Sequence, residues 1–132
     1  MMKLFKVNKE EKVNFDNIYY NKSDKKSMTY KIGIKHGRVY VFDIYFVIVN
    51  KTLNTAPVIN MVFYVKYVSS DSYPYIDDSV CVTKSCKQYT DINSNFLITY
   101  NVDKHHFNLS YSIKDTNYSE IVTQIKLEKI KL

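Results

Sequence analysis

The stretch Phe96–Ile113, FLITYNVDKHHFNLSYSI, decides how this chain folds. Its even positions read Phe96, Ile98, Tyr100 and Val102. Its later odd positions read His105, Phe107, Leu109, Tyr111 and Ile113, with His106, Asn108, Ser110 and Ser112 between them. A period of two belongs to strands that bury one face and wet the other. A tight turn at Asp103-Lys104 opposes Val102 with His105, Tyr100 with Phe107, Ile98 with Leu109 and Phe96 with Tyr111. All the apolar side chains then share a face, and a slip of one residue would scatter them. The turn lacks an Asn-Gly or Asp-Gly pair, so a four-residue loop centred on the same point serves equally and keeps the pairing.

Upstream, Tyr30–Val49 (YKIGIKHGRVYVFDIYFVIV) contains a second turn at His36-Gly37, where glycine accepts positive φ. The expected hairpin pairs Ile34 with Val39 and Ile32 with Val41. The strand leaving it, Val39–Val49, is apolar on both faces apart from Asp43, which suits a central strand or one whose outer face is covered. Val58–Val68 follows, with Ile59, Met61, Phe63, Val65 and Tyr67 on one face, Asn60 and Lys66 on the other, and Pro57 at its start. Further strand candidates are Lys3–Asn8, Val13–Tyr20, Ser79–Thr83 with Cys86–Thr90, and Ile121–Leu132. The last reads as a strand with a bulge or as a helix capped by Ser119. Its Ile-Val-Thr run and the Ile125/Leu127, Ile130/Leu132 spacing favour the strand.

Short strands at such intervals predict an all-β fold, an antiparallel β-sandwich, jelly-roll or Ig-like, of about eight or nine strands. Composition agrees. Thirteen Tyr and seven Phe stand against two Gly, two Pro, one Ala (Ala56) and one Arg (Arg38); aromatic and β-branched residues suit a pleated surface. Lys, Asn, Tyr, Ile and Phe also have AT-rich codons, so an AT-rich genome accounts for part of the skew. With 132 residues, 45% apolar and 24% charged, the chain reads as one globular domain, residues 1–132, in which 1–27 form a basic N-terminal portion.

The net charge of +6 is concentrated early. Residues 1–35 hold nine Lys against Glu10, Glu11, Asp16 and Asp24, a surplus of five. A basic surface suggests nucleic acid, but a dedicated phosphate reader favours Arg, and Arg38 stands alone. The N-terminus has no apolar run of signal-peptide type. The longest apolar run falls well short of the roughly 20 residues that span a bilayer. The expectation is a protein without membrane attachment, placed in a virion or a host cytoplasm. Four Asn-x-Ser/Thr sequons, at Asn21, Asn50, Asn108 and Asn117, follow from Asn-rich composition.

Catalytic and cofactor chemistry finds no motif. Two glycines cannot build a phosphate loop, and there is no Cys-x-x-Cys or His-Glu-x-x-His. His105 and His106 are neighbours on a strand, point to opposite faces, and cannot chelate one metal together. The expectation is a non-enzyme with no cofactor and no metal. A turn at Thr83-Lys84 would place Cys81 opposite Cys86, where a disulfide closes in an oxidising medium. In a reducing compartment they are free thiols, the preferred reading. Ser69–Asp78, SSDSYPYIDD, is the most functional-looking stretch. Tyr73 and Tyr75 flank Pro74, with Asp71, Asp77 and Asp78 nearby, a set suited to stacking on a sugar or contacting a protein, or to holding Ca²⁺ through carboxylates. The alternative is a solvated loop whose tyrosines cover the sandwich end.

From Met28 onward the order of features resembles the β-sandwich head domains at the tips of phage tail fibres and baseplate upper proteins. The carrying segments are Tyr30–Val49, Tyr73-Pro74 opening into Val80–Val82, Phe96–Ile113, and a closing strand to Leu132. The resemblance covers about the last hundred residues and consists of patterns; the Leu-Pro and Gly-Tyr-Arg-Pro signatures of those heads are absent apart from Tyr73-Pro74. It implies a trimer whose sandwich faces pack together and whose outer loops bind a surface polymer. The leading expectation is therefore a non-catalytic viral or phage structural or attachment module that binds a protein or a surface glycan. A single-stranded nucleic-acid binder of OB-like form and a host-directed, protein-binding inhibitor are the alternatives.

Overall fold

Alternation like that of Phe96–Ile113 recurs along the chain, and in the computed structural model every regular element among the described residues is a strand. The structure describes residues 9–13, 18–51, 56, 58–77, 82–85, 96–114 and 116–131, with backbone pairing alone for 9–13 and 82–85. The strands are β1 (Lys9–Val13), β2 (Ile18–Ser23), β3 (Ser27–Gly33), β4 (Arg38–Asn50), β5 (Val58–Tyr67), β6 (Tyr75–Ile76), β7 (Val82–Ser85), β8 (Phe96–Val102), β9 (His106–Ile113) and β10 (Tyr118–Lys131). One sheet runs β1-β3-β9-β8. The other runs β2-β10-β4-β5-β6, with β7 also paired to β5. Among the described residues every ladder is antiparallel except β1 with β3, which is parallel. The two sheets are hydrogen-bonded separately and face each other, a β-sandwich rather than a closed OB-type barrel.

The inward faces are those set by alternation. β3 buries Met28, Tyr30 and Ile32; β4 buries Tyr40, Phe42, Ile44, Phe46 and Ile48; β5 buries Ile59, Met61, Phe63, Val65 and Tyr67; β9 buries Phe107, Leu109, Tyr111 and Ile113. Aromatic rings join the layers. Phe42 of one sheet stacks on Phe107 of the other at 4.5 Å between centroids, and Phe46 meets Tyr111 edge-on at 5.9 Å. Such pairs contribute about 0.5–1.5 kcal/mol each beyond the area they bury. One polar link crosses the same interior: the Tyr30 hydroxyl donates to Thr123 Oγ1 at 3.0 Å and accepts from Asn21 Nδ2 at 3.1 Å. Burial pushes the Tyr111 phenol up to about 12.

Several expectations need correction. The segments flanking His36-Gly37 do not form a hairpin; β3 lies in one sheet and β4 in the other. The register Ile34–Val39 opposes an even residue with an odd one, whereas both segments keep their most aromatic face on even positions. Pairing them would have turned one set to water, so the chain crosses between layers instead. Gly37 does take positive φ, 79°, and its N–H donates to Tyr67 O. The β8–β9 hairpin keeps the expected face but shifts its partners by two: Val102 opposes Phe107, Tyr100 opposes Leu109 and Ile98 opposes Tyr111. His105 consequently lies in the turn, not on a strand.

Val82–Ser85 runs straight beside β5, with Thr83 opposite Met61 and Lys84 opposite Asn60, so no turn forms at Thr83-Lys84. Cys81 and Cys86 lie outside the described residues, as does the candidate strand Lys3–Asn8. Residues 118–131 are strand, not helix, and the bulge falls between Tyr118 and Glu120. From Glu120 the register with β4 runs unbroken to Lys131, which leaves Ile130 on the outer face, 53% exposed. The doubly apolar segment is indeed central: β4 lies between β10 and β5.

Candidate functional site

Three loops meet at the end of the sandwich where β4 begins: residues 34–37 after β3, 68–74 after β5, and 103–105 after β8. Each is fixed by its own chemistry. The Ile34 N–H donates to His105 O at 2.9 Å, tying the first loop to the third. The Lys35 N–H donates to the Tyr40 hydroxyl at 2.6 Å, and the His36 ring stands edge-on to Tyr67 at 6.1 Å. In the third loop, Asp103 Oδ1 accepts the N–H groups of His105 and His106 at 2.8 and 2.9 Å, and Oδ2 accepts Asn108 Nδ2 at 3.0 Å. This Asx-type turn centres the loop one residue later than a turn at Asp103-Lys104 would. The Asn108 hydrogen bond, with the two backbone donors and the nearby His106 helping it, holds the Asp103 carboxyl down to about 2 against the opposing effect of burial.

The loops enclose a cleft of about 360 Å³, lined by Ile34, Lys35, His36, Arg38, Tyr67, Ser70, Lys104 and His105. Lys35 and Arg38 flank the turn before β4, and Lys104 comes from the β8–β9 turn. Among the described residues no carboxylate lines the cleft. At the opposite end a second cleft, of about 330 Å³, is lined by Asp24, Lys26, Lys51, Thr116, Tyr118 and Ser119 and carries both signs of charge.

Of the residues read from Ser69–Asp78, Tyr75 and Asp77 both lie beside Lys66. Tyr73 is 71% exposed beside the cationic cleft, with Lys104 Nζ 5.4 Å from its ring centroid. Pro74 is buried between the two tyrosines. Tyr75 pairs across from Lys66 on the other side of the corner. Asp77 is joined to Lys66 at 3.1 Å, and its N–H donates to Tyr64 O at 2.9 Å. Asp71 is exposed, and Asp78 lies outside the described residues. Among the described residues no three His, Cys, Asp or Glu side chains gather in a metal-binding group. The cleft residues escaped sequence reading because nothing local marks them. Arg38, the sole arginine, was the one signal available.

The outer faces of the two sheets differ in kind. The β3-β9-β8 face shows Thr29, Lys31, Ser110, Asn108, Thr99 and Asn101, with Thr29 and Ser110 hydroxyls 2.9 Å apart and Asn108 Nδ2 donating to Asn101 Oδ1 at 2.9 Å. The β2-β10-β4-β5 face is apolar by comparison. Its cross-strand rows set Tyr20, Gln124, Tyr45 and Asn60 side by side, then Lys22, Val122, Val47 and Val58, then Glu128, Val41 and Tyr64. Ile18 is 47% exposed there and Tyr20 65%.

These features define an all-β sandwich with one apolar outer face and one cationic end cleft. No protein-family model, curated protein or solved structure matches the chain. Among the described residues no helix is long and apolar enough to cross a membrane.

Proposed function

We propose that this chain is a non-catalytic structural or attachment module of a virus or phage, residing in the virion or the host cytoplasm, that assembles with further copies of itself. One observation carries the assembly: the outer face of β2-β10-β4-β5 presents Ile18, Tyr20, Val47, Val58, Tyr64, Val122 and Ile130, while the other sheet turns mostly hydroxyls and amides outward, with Leu97 at its β8 edge. Exposed apolar surface of that extent marks a contact surface. Charge selects the occupant. Lys22, Lys66 and Lys126 are interspersed with Asp43, Glu120 and Glu128, so the face is neutral and self-complementary although the whole chain carries +6. A second copy of this chain satisfies that pattern; a strongly acidic partner does not. The viral or phage setting is supported by the pattern resemblance of Met28–Leu132 to fibre-tip heads, which implies a trimer.

Size-exclusion chromatography with light scattering tests the reading. The native chain should run as an oligomer, and Tyr45→Glu with Val122→Glu should return a monomer whose circular dichroism is unchanged. A strict monomer at high concentration would overturn it.

A further inference from the structure

We infer that the cleft between the loops at 34–37, 68–74 and 103–105 is a binding site for a phosphate or sulfate oxyanion, with Lys35, Arg38 and Lys104 as its charged contacts. The inference is independent of self-assembly through the outer sheet face. Among the described residues no carboxylate pairs with any of these three cations. Of the carboxylates in or near these loops, Asp103 is directed to the 105–106 backbone and Asn108, Asp43 accepts from Asn60, and Asp77 meets Lys66, while Asp71, next to Ser70, is exposed. Three cations lining one cleft, Lys35 and Arg38 from either side of the turn before β4 and Lys104 from the β8–β9 turn, raise the local potential, and a bound anion lowers it. Arg38 supplies the planar fork that matches two oxygens of a tetrahedral anion, and Ser70 supplies a hydroxyl.

The loops are already braced: Ile34 N–H to His105 O, Gly37 N–H to Tyr67 O, Lys35 N–H to the Tyr40 hydroxyl. A ligand therefore meets loops whose backbone is already held in place. The volume, about 360 Å³, stands near the lower end of the roughly 300–1,000 Å³ of small-ligand sites. That favours a free oxyanion or a single esterified unit over a nucleic-acid strand, which needs an extended groove and several stacking platforms. For an esterified unit, the exposed Tyr73 ring beside Lys104 offers one flat surface for the uncharged part.

Two-dimensional amide NMR on the full chain tests this with inorganic phosphate, sulfate, glucose 6-phosphate, glucose, and a ten-residue oligothymidylate. Phosphate, sulfate and glucose 6-phosphate should shift amides at 34–38, 67–73 and 103–106, and glucose should not. Arg38→Gln and Lys104→Gln should each weaken binding about tenfold, the loss of one charge-assisted contact. Lys114→Gln, exposed after β9, should leave it unchanged. Lys104 is an exposed loop residue, so its variant stands as a test even if the Arg38 variant misfolds. Equal affinity for phosphate and glucose 6-phosphate supports a free-anion site. Tighter binding of the ester, abolished by Tyr73→Ala, supports the same site with an esterified ligand. The absence of shifts at millimolar phosphate and sulfate, or oligothymidylate binding more than tenfold tighter than glucose 6-phosphate, would overturn the proposal.

Discussion

The Asp103 carboxylate accepts the Asn108 side-chain amide at 3.0 Å across the mouth of the β8–β9 hairpin, while its other oxygen accepts the backbone N–H groups of His105 and His106. One side chain thus fixes both the turn and Asn108, the second outward position of β9. Because those hydrogen bonds favour the ionised form, the folded-state carboxyl titrates at about 2 instead of its ordinary 3.8. The stabilisation it gives is complete above the ordinary value and is lost as pH falls through about 2. Asp103→Asn keeps an oxygen for the backbone donors but removes the charge. Melting temperatures of the two proteins should differ at pH 6 and converge as pH approaches 2; a gap independent of pH would refute the assignment.

Tyr30 should carry a stability cost out of proportion to the single oxygen removed. Tyr30→Phe strips Thr123, fully buried at 0% exposure, of its donor and Asn21 of its acceptor. Urea unfolding should show a loss of about 1–3 kcal/mol, and adding Thr123→Val should recover part of it, because a partnerless buried hydroxyl costs more than an apolar pair.

Phe107 stacks on Phe42 at 4.5 Å and meets Phe63 at 5.4 Å, so it fills the space between the sheets. Phe107→Ala should cost about 3–5 kcal/mol in chemical denaturation. Leu97→Ser, at a residue 58% exposed on the outer side of β8, should stay within about 0.5 kcal/mol.

The two glycines should respond in opposite ways. Gly37 sits at φ 79°, so Gly37→Ala forces a side chain into the left-handed region and should destabilise by about 1 kcal/mol or more. A Cβ on Gly33 meets nothing within 4 Å and its φ is not positive, so Gly33→Ala should be neutral or stabilising by up to about 1 kcal/mol. Equal losses for both in thermal melts would show that φ does not separate them.

Strand identity and inward face were legible in the sequence because alternation is a local signal. Phe107, Leu109, Tyr111 and Ile113 are buried as their spacing required, and so are Ile59 through Tyr67 at odd positions. Register was less legible. The shift by two in β8–β9 comes from the Asp103 side chain capturing backbone donors, and parity alone cannot detect a shift of two. The His36-Gly37 hairpin failed for a related reason: glycine marked a reversal of direction but not whether the chain returned beside itself or crossed to the facing sheet. Of the Ser69–Asp78 group, Ser70 lines the cationic cleft and Tyr73 lies beside it. Lys35-His36-Gly37-Arg38 and Lys104-His105 are two short basic groups whose meeting at one end of the sandwich no local spacing reveals.

By itself the sequence determined that alternate side chains along extended segments enter a common interior, since period and polarity are properties of neighbouring residues. It also determined that Gly37 would turn the chain. Only the tertiary structure decided which strands share a sheet, which outer face stayed apolar, and which loops brought Lys35, Arg38 and Lys104 together. Those outcomes depend on how the two layers close over their aromatic rings, an interaction between residues up to about seventy positions apart that no local pattern encodes.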